Sequence, residues 1–503
     1  MARVPLLGGA YQARGTIANY QRCVNYFPER NPQDSPTPVT HYQRPGLVPV
    51  ASPGSPAAGR GIFRASNGNG YCVIGTGVYA IGPNWTLTLL GNMLENTGNP
   101  CYWTDNGIQS LLVDGSSHGY TVTLATNAFA TVVDGTGTFV GADRVDYIDT
   151  FILFNVPGTN RFGSTLSNEL VFDALYVAGK TDYPDPLAGL VVNRHELLLV
   201  GQLKSEVWYD AGNAGFPFAE LPGAYHEHGT VSKYSIASQD ISVYFLGQDL
   251  QGQGIVFRVR GYECTRISNH ALEYQLRQAM AAGATLSDAI GYTYQQDGHT
   301  FYVLTLPSAD QTWVFDEASG EWHQRAWTDP TTGALHRDRL LGAALVNGQN
   351  VGIDWENGTI YRLDLNTYTD EVNGSVGPVT CIRGFPHILA GQLNFGLPGL
   401  ERGVDSDGHQ LGYKSFLLDL ECGTAPVDSS GNPAMVGLRW SNDRGKTWSR
   451  AVMQTAGGPG QFLTRPLWRN LGSAQDMIFE IIHNIAGAAA LNGAWVDADV
   501  RNQ

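Results

Sequence analysis

Two histidines, His226 and His228, are the residues whose type and spacing most directly suggest a metal site. In a β-strand, side chains two residues apart lie on the same face, so both imidazoles could begin a set of ligands. No third ligand is recognisable close to them in the sequence, and we therefore predict ordinary surface or interface histidines and no metal. His323, which lies between Trp322 and Arg325, is predicted to belong to a packed sheet edge.

Residues 441–448 (SNDRGKTW) fit the pattern Ser-x-Asp-x-Gly-x-x-Trp, known as an Asp box. Asp443 can accept backbone N–H groups within the turn, and Gly445 can supply a positive φ. Trp448 can pack at the base of the hairpin. The pattern occurs in sialidases, where it is a structural hairpin away from the active site. We predict that Ser441, Asp443, Gly445 and Trp448 form a structural turn.

No constellation in the sequence indicates catalysis. A propeller glycosidase would need an arginine cluster, a Tyr–Glu nucleophile pair and an acid–base carboxylate, and no repeated pattern singles out such a set. Gly-Lys-Ser/Thr phosphate loops, HExxH and GxSxG are absent. Asp-Gly and Asn-Gly dipeptides are typical of hairpin turns, and they lack the alternating carboxylates of a calcium loop. We therefore predict a protein that is not an enzyme and that binds no cofactor.

Arginines alternate along one strand pattern. Arg258 and Arg260 share a face of that strand and Arg266 follows it, so the face could meet DNA or an acidic neighbour. A solvated outer strand is the favoured prediction. The net charge of −15 argues against a conventional nucleic-acid binder, because such proteins neutralise phosphates with Lys and Arg. A conduit through which DNA slides would not need to hold it.

A second basic group, formed by Arg465, Trp468 and Arg469, lies near the C-terminal strand patterns. Trp and Arg are favoured anchors of protein interfaces. We therefore predict that Arg465, Trp468 and Arg469 contact a neighbouring subunit rather than DNA.

The composition indicates a β-rich protein that is dense in turns. Of the 503 residues, 43 % are hydrophobic and 11 % aromatic, which excludes general disorder. Only 15 % are charged, against roughly 25 % in an ordinary soluble domain, and 61 are glycines. Six widely spaced cysteines without a CxxC pair favour buried thiols over disulfides, as expected for assembly in a reducing cytosol. Neither a signal peptide nor an apolar run of about 18 residues is visible, so we expect no membrane insertion.

One pattern recurs along residues 55–365: a short apolar strand, a polar or glycine-rich turn and a second apolar strand. The first strands start near residues 71, 110, 151, 197, 243, 301 and 351, so successive starts differ by 39, 41, 46, 46, 58 and 50 residues. A four-stranded propeller blade needs about 40–50 residues, and each blade leaves a face that the next blade can bury. We predict an all-β fold with a β-propeller of six or seven blades at 55–365. The alternative is a set of unrelated hairpins in a sandwich or a capsid-type domain.

The longest interval between these strands contains a helical pattern. Apolar residues at i, i+4 and i+8 from Leu272 share one face, and Ser268 or Asn269 can cap its start, which predicts an inserted helix near 269–282. We expect this helix to pack across the propeller; contact with a neighbouring subunit is the alternative.

The remaining regions differ in pattern from the propeller. The polar residues 366–380 predict a linker, and the strand patterns beyond it predict a β-sandwich-like domain at 381–503. Residues 1–54 are poor in strand pattern and rich in Tyr, Arg, Asn and Pro, which predicts an extended N-terminal arm.

Two regions carry a resemblance to a known family. Near the N-terminus, residues 19–29 have an Asn-aromatic-Pro character and precede the turn at 44–47 (RPGL). Near the C-terminus, the Asp box is followed by the basic–aromatic group and by a strand pair at 477–482 and 491–496. In this order the features resemble the tail nozzle proteins of short-tailed bacteriophages (podoviruses), which are also called packaged-DNA stabilisation or tail hub proteins.

This resemblance implies a structural protein of the virion tail. It implies a homo-oligomeric ring, a hexamer, below the portal and the tail adaptor (head-to-tail connector) ring, which extends the DNA channel, retains the packaged genome and allows its ejection. The other implied partners are tail needle, fibre or spike proteins and genomic double-stranded DNA, which passes without sequence-specific binding. Assembly would occur in the host bacterial cytoplasm. Tyr26 in the N-terminal arm is a further candidate for the subunit interface, beside Arg465, Trp468 and Arg469.

The alternative function is a receptor- or glycan-binding propeller of the tailspike or sialidase-like kind. Its distinguishing feature would be a concave pocket with convergent carboxylates or stacked Trp side chains. Hydrolysis of a host-surface glycan, or saturable sugar binding, would favour it.

Overall fold

Short strands joined by turns form most of the chain, as the glycine content and the scarcity of charges predict. The computed structural model describes residues 1–6, 8–16, 19–248, 252–389 and 410–500, with Gln253 and Val500 described by their backbone alone. Within these residues the strands form a propeller of seven blades and a sandwich of two sheets. The prediction of an all-β fold with a propeller and a C-terminal sandwich is confirmed.

Seven short strands, β1 to β7, precede the first blade. They are Ala2–Val4, Tyr11–Gln12, Tyr20–Gln21, Cys23–Val24, Tyr26–Arg30, Val39–Gln43 and Gly46–Ala51. Four of them, β1, β4, β6 and β7, pair with strands from the second half of the chain.

Blades 1 to 5 are each built from consecutive strands. Blade 1 consists of β8 to β11: Gly59–Arg64, Gly70–Ile74, Gly77–Ile81 and Leu87–Asn92. Blade 2 consists of β12 to β15: Tyr102–Asp105, Gln109–Val113, Gly119–Thr123 and Ala128–Thr131. Blade 3 consists of β16 to β19: Val145–Ile148, Phe151–Asn155, Arg161–Thr165 and Phe172–Gly179. Blade 4 consists of β20 to β23: Leu187–Asn193, Glu196–Gly201, Ser205–Asp210 and Phe218–His226. Blade 5 consists of β24 to β28: Gly229–Thr230, Ala237–Gln239, Ser242–Gln248, Gln253–Arg260 and Glu263–Arg266.

Helix α1, His270–Ala281, leads from blade 5 to blade 6. Blade 6 consists of β29 to β32: Ile290–Gln296, His299–Leu306, Gln311–Asp316 and Glu321–Arg325. A small hairpin of β33 and β34 follows, Trp327–Thr328 and Leu335–His336. Blade 7 begins with β35 to β37: Leu340–Val346, Gln349–Asp354 and Ile360–Asp364. Two short 3₁₀ turns lie at Lys233–Ser235 and Pro307–Ala309.

The seven strand positions in the repeated sequence pattern coincide with the second strand of each of the seven blades. The positions near 71 and 351, for example, fall in β9 and β36, and the apolar strand that follows each of them is the third strand of its blade. These two middle strands are covered on both faces by adjacent blades, so they carry the longest apolar runs. The first and fourth strands of a blade are more mixed in composition and leave a weaker signal.

Alternation along each middle strand joins neighbouring blades. Leu111 and Val113 of β13 face blade 3, where they pack with Phe154, whereas Leu112 faces blade 1 and packs with Tyr71. A comparable hydrophobic cluster lies between each further pair of blades, including blades 7 and 1. The ring is therefore closed by apolar contacts that no single blade could form alone.

Blade 7 receives its fourth strand from the N-terminal region. Strand β7 pairs antiparallel with β37, with Leu47 opposite Leu363. The next two strands, β38 and β39, are Thr369–Val372 and Ser375–Pro378, and β38 pairs with the other edge of β7. The predicted linker at 366–380 is therefore wrong in its character, because most of these residues extend the sheet of blade 7 as a hairpin.

The sandwich contains the remaining eight strands, β40 to β47: Cys381–Gly384, Ile388–Leu389, Leu411–Leu420, Met435–Ser441, Val452–Thr455, Leu467–Ala474, Asp476–His483 and Leu491–Val500. One sheet has the order β45-β42-β47-β6-β5, with β1 on the other part of β47. The other sheet has the order β4-β40-β46-β43-β44, with β41 on β46. The N-terminal region is thus not an extended arm, because β1, β4, β5 and β6 complete the sheets of the sandwich.

Strand β4 also makes the propeller and the sandwich continuous. On one side it pairs with β32 of blade 6, through Val24 opposite Gln324, and on the other with β40, through Cys23 opposite Arg383. A single ten-stranded sheet, β41 included, consequently runs from the innermost strand of blade 6 to β44 of the sandwich. Backbone hydrogen bonds therefore link the two parts directly.

Helix α1 packs inside its own chain. The Asn269 side chain caps its start by accepting the N–H of Leu272 at 2.8 Å. Leu272 and Leu276 are buried in the large core that blade 6 and the sandwich share, and Gln275 donates to the Gln12 carbonyl at 3.1 Å. In the described part of the chain, no helix is both long and apolar enough to span a membrane.

Candidate functional site

The Asp-box turn is held by hydrogen bonds among its own residues. The Ser441 hydroxyl donates to Asp443 at 2.7 Å and accepts the N–H of Gly445 at 2.8 Å. Asp443 in turn accepts the N–H of Thr447 at 2.8 Å and its hydroxyl at 2.6 Å. These bonds, those from Thr447 foremost, lower the pKa of Asp443 to about 2. Gly445 has a φ of +87°, which a residue with a Cβ adopts only with strain.

Trp448 lies between two side chains from other elements. Its ring is tilted against that of Tyr20 at 5.6 Å, and the Arg439 guanidinium lies 4.9 Å from its centroid. The Asp box thus joins strand β43 to the N-terminal segment. In this arrangement its carboxylate is occupied by the turn, and the geometry is that of a structural hairpin.

Tyr26 is fully buried, so its prediction as a subunit contact is wrong. Its hydroxyl lies 2.5 Å from Nε2 of His483 and donates to the Ala489 carbonyl at 3.2 Å. Nδ1 of His483 accepts the N–H of Ile485, which leaves the proton on Nε2 and makes the ring the donor to Tyr26. Burial lowers the pKa of His483 to about 3, in agreement with a neutral ring. The reason for the correction is that β5 is an integral strand of the sandwich.

The basic–aromatic group divides into one core residue and two surface residues. Trp468 is buried against Phe416, and its indole N–H donates to the Val452 carbonyl at 2.7 Å, so it is no interface residue. Arg465 and Arg469 are exposed. Arg465 lies 3.6 Å from Asp419, and both arginines stay candidates for subunit contacts.

The arginines of blade 5 are paired with carboxylates of their own chain. Arg258 and Arg260 both contact Glu317, in the hairpin between β31 and β32 of blade 6. Arg266 forms a two-pronged pair with Glu273 of α1, whose carboxylate also accepts the Ser268 hydroxyl. The acidic neighbour that the sequence suggests is therefore an adjacent blade and the helix.

The histidines single out no metal centre. His226 ends β23, and the ring of His228 stacks on Phe257 at 4.2 Å. His323 is buried beside Phe27, and burial lowers its pKa to about 3. Among the residues that the structure describes, no group of three or more His, Cys, Asp or Glu side chains could hold a metal ion.

The propeller axis is filled by a segment that the sequence analysis does not identify. The 3₁₀ turn Lys233–Ser235 crosses it, with Tyr234 stacked on Tyr102 of blade 2 at 6.3 Å. Arg144 lies 4.0 Å from the Tyr102 ring and donates to the Lys233 carbonyl. Tyr302 of blade 6 donates to the Ser235 carbonyl at 2.8 Å. The turn is thereby anchored to blades 2, 3 and 6.

A cavity of about 180 Å³ remains beside this plug. It is lined by the inner strands of blades 1, 2, 6 and 7, among them Ile62, Trp103, Tyr292 and Ala343. Of the described residues that line it, none is an Asp or Glu. The major groove of B-DNA alone is about 12 Å wide, so a double helix cannot pass along the axis of this propeller.

Large apolar side chains stand out on the sandwich surface. Phe462 and Leu463, in the loop between β44 and β45, are 67 % and 96 % exposed. The sequence analysis does not identify them, although the signal is present: two large apolar residues interrupt a loop rich in Gly and Pro at 457–461. Exposed apolar groups on an otherwise well-packed surface indicate contact with a partner.

Comparisons with known proteins agree on the family. Residues 2–368 match the family model described as Bacteriophage P22 Gp10, beta-propeller, and residues 402–499 match the one described as Bacteriophage P22 Gp10, beta-sandwich. A search among curated proteins finds no match.

Several solved propeller-sized structures are similar at low identity. A streptogramin B lyase structure aligns with a TM-score of 0.42 and 10 % identity, over 64 % of this chain and 97 % of the other. The computationally designed Ika8 protein aligns with a TM-score of 0.40 and 12 % identity, over 63 % and 99 %. BamB from Moraxella catarrhalis aligns with a TM-score of 0.35 and 12 % identity, over 67 % and 96 %.

The two family models together cover both structural parts, the propeller with its N-terminal strands and the sandwich. Neither the turn chemistry of the Asp box nor the paired arginines require any other function. The chain belongs to the bacteriophage P22 Gp10 family of tail nozzle proteins, which are structural components of the virion tail.

Proposed function

We propose that this protein is the subunit of a hexameric nozzle ring that extends the DNA channel below the portal and adaptor rings of a short-tailed phage. The observation that carries the proposal is the closed propeller axis, together with the family. Because Tyr102 and Tyr234 stack across the axis, the genome would pass through the centre of the ring, between subunits. Each propeller would then be a solid block in the wall of the channel.

A wall of this kind must resist deformation, and the continuous ten-stranded sheet supports that role. Blade 6 and the sandwich share backbone hydrogen bonds through β4, so one part cannot rotate against the other without breaking the sheet. Retention of the packaged genome would follow from a rigid ring that holds the channel closed until ejection.

Passage of DNA requires weak adhesion to the wall. The net charge of −15 and the pairing of Arg258, Arg260 and Arg266 with acids of the same chain both reduce the attraction for phosphates. The genome would therefore slide without sequence-specific binding. We propose a structural protein without catalytic activity that also anchors the needle and the fibres or spikes, and that is assembled in the host cytoplasm.

Quantitative mass spectrometry of purified particles tests this proposal. The protein is expected in particles at about half the molar abundance of the portal protein, as a hexamer below a dodecameric portal would give. The capsid protein provides an internal control for particle recovery. Absence from particles would overturn the proposal, and a ratio near one would overturn the hexamer while leaving the tail component.

A further inference from the structure

The exposed pair Phe462 and Leu463, which we call the apolar knob, lies in a loop with a fixed backbone. The N–H of Gly460 donates to the Gly423 carbonyl at 2.9 Å, and the N–H of Gly458 donates to the Gln461 side chain at 2.9 Å. Because these bonds hold the loop on the sandwich, the exposure of the knob is a property of the folded surface. An apolar protrusion of this kind is unfavourable in water unless a partner covers it.

A cleft of about 540 Å³ opens elsewhere, between the propeller and the sandwich. We call it the interdomain cleft; its apolar lining consists of Pro330, Val376, Pro378, Met453 and Ile482. Val376 and Met453 are 62 % and 47 % exposed, so the chain's own side chains do not fill it. Its volume lies within the range of about 300–1,000 Å³ that is typical of clefts that take up a ligand.

Two sheet edges border this cleft. Strand β39 is the outermost strand of the blade 7 sheet, and β44 is the outermost strand of the long sheet. Within the described part of the chain, the outer edges of both strands have no strand partner. Such edges offer N–H and C=O groups to an incoming extended segment, so that apolar and backbone contacts could form together.

The charges beside the knob and the cleft are complementary. Arg465 follows the knob and is exposed, while Asp329 is among the residues that line the cleft. In a chain with a net charge of −15, an exposed arginine beside an apolar protrusion would favour an acidic acceptor surface. The cleft of another copy of the chain provides one.

We propose that the apolar knob of one subunit inserts into the interdomain cleft of a second copy, with Arg465 directed towards Asp329 of that copy. This inference rests on the proposed ring and names its interface. The knob and the cleft are different surfaces of one chain, so the contact is heterologous and repeats by rotation. Contacts of this type close a ring, whereas a self-complementary patch would stop at a dimer.

Cysteine cross-linking in assembled tails tests the contact. A double variant, Leu463→Cys with Val376→Cys, is treated with a short bismaleimide and separated under denaturing conditions. The expected result is a ladder of covalent oligomers, whereas a mixture of the two single variants gives dimers only. Burial raises the pKa of the half-buried native thiols, Cys101 and Cys264, to about 12 in each case, so they react slowly at neutral pH.

The matched control pairs Leu463→Cys with Val133→Cys, because Val133 is 89 % exposed on the propeller rim and outside the cleft. A second pair of variants measures the energetic role: Leu463→Asp is expected to lower incorporation into tails by about ten-fold or more, and Val133→Asp to leave it unchanged. Both sites are exposed, so both variants should keep the thermal stability of the parent protein.

The outcomes separate the interface from the proposed function. Protein present in tails, with no more cross-linking at 463–376 than at 463–133, would overturn the knob-and-cleft contact and leave the nozzle ring standing. Protein absent from tails would overturn both. A ladder together with loss of incorporation on Leu463→Asp would establish the contact as the ring interface.

Discussion

Blades 1 to 5 differ in construction from the junction, by which we mean β1 to β7 together with blades 6 and 7 and the sandwich. In the first region, contacts are local: Ser110 exchanges hydrogen bonds with Val122, twelve residues away. In the junction they span the chain. Asn25 donates to the carbonyls of Ala326 at 2.9 Å and Thr380 at 2.7 Å, and Tyr26 meets His483. The same class of secondary structure is thus stabilised in two ways, and only the junction depends on the N-terminal strands.

A buried arginine illustrates that dependence. Arg383 has no exposed surface, and it donates to the carbonyls of Gly8 at 2.7 Å and Arg22 at 3.0 Å, and to the Gln21 side chain at 2.9 Å. Burial lowers its pKa, because water is replaced by neutral acceptors. A charge that is solvated by the N-terminal segment makes that segment a structural requirement of the sandwich.

The largest expected effect comes from deletion of residues 1–45. This change removes β1 to β6, including the acceptors of Arg383 and the bridge between blade 6 and the sandwich. Hydrogen-exchange mass spectrometry should then show lost protection in β40, β46 and β47, while β9 and β13 of blades 1 and 2 stay protected. Equal loss in all blades would break the comparison, since it would make the whole chain one cooperative unit.

Replacement of one N-terminal charge should have the next largest effect. Arg44 forms a buried two-pronged pair with Asp370, with N–O distances of 3.0 and 2.5 Å. Arg44→Ala leaves that carboxylate without its partner and should cost about 3–5 kcal/mol of unfolding free energy. The control is Arg362→Ala, which removes a partly exposed pair with Asp364 and should cost at most about 1 kcal/mol. Urea denaturation measures both, and equal costs would contradict the prediction.

Loss of a single hydroxyl sharpens the comparison further. Tyr26→Phe removes both the bond with His483 and the bond to the Ala489 carbonyl, and should cost about 1–3 kcal/mol because the ring N–H stays buried. Tyr42→Phe, on the neighbouring strand β6 but exposed, is the matched control and should change stability by less than about 0.5 kcal/mol. If the two variants unfold at the same urea concentration, the buried contact does not stabilise the junction.

The smallest effect is expected at the Asp box, where the contacts are local and exposed. The folded pKa of Asp443, about 2, lies below the usual value for an aspartate, so its contribution to stability is complete above about pH 4 and is lost as the pH falls towards 2. Asp443→Asn should therefore lower the melting temperature slightly at pH 7, and the difference from the parent protein should vanish near pH 2. A difference that is independent of pH would show that the carboxylate charge is not the stabilising feature.

The same division explains what the sequence could predict. The middle strands of each blade carry their own signal, because alternation, turn dipeptides and burial on both faces are all local properties. Helix α1 is likewise found within one residue of its capping Asn269. Seven hairpins at blade spacing were enough for the architecture.

Burial of particular residues was less accessible. Tyr26 and Trp468 have the composition of interface anchors, but each is buried by strands that the local pattern does not identify as neighbours. Strand β4 has only two residues, too few for any periodicity, although it joins the propeller to the sandwich. Long-range pairing of this kind cannot be derived from the segment itself.

One error in the sequence analysis could have been avoided. The region at 366–380 contains Asn373 and Gly374 between two short alternating segments, and both residues have positive φ, as a type I′ hairpin turn requires. The polar composition concealed this signal. The turn dipeptide therefore outweighs composition as an indicator for short hairpins in this chain.

Strands β6 and β47 lie side by side in the sandwich, although their paired residues, His41 and Leu491, are 450 positions apart (491 − 41). A ribosome adds about 5–20 residues per second, so β6 emerges roughly 20–90 s before its partner strand has been made. During that interval the N-terminal strands have unpaired edges, which can associate with other nascent chains. Blades 1 to 5 can fold as they are synthesised, whereas the junction must wait for translation to reach the sandwich.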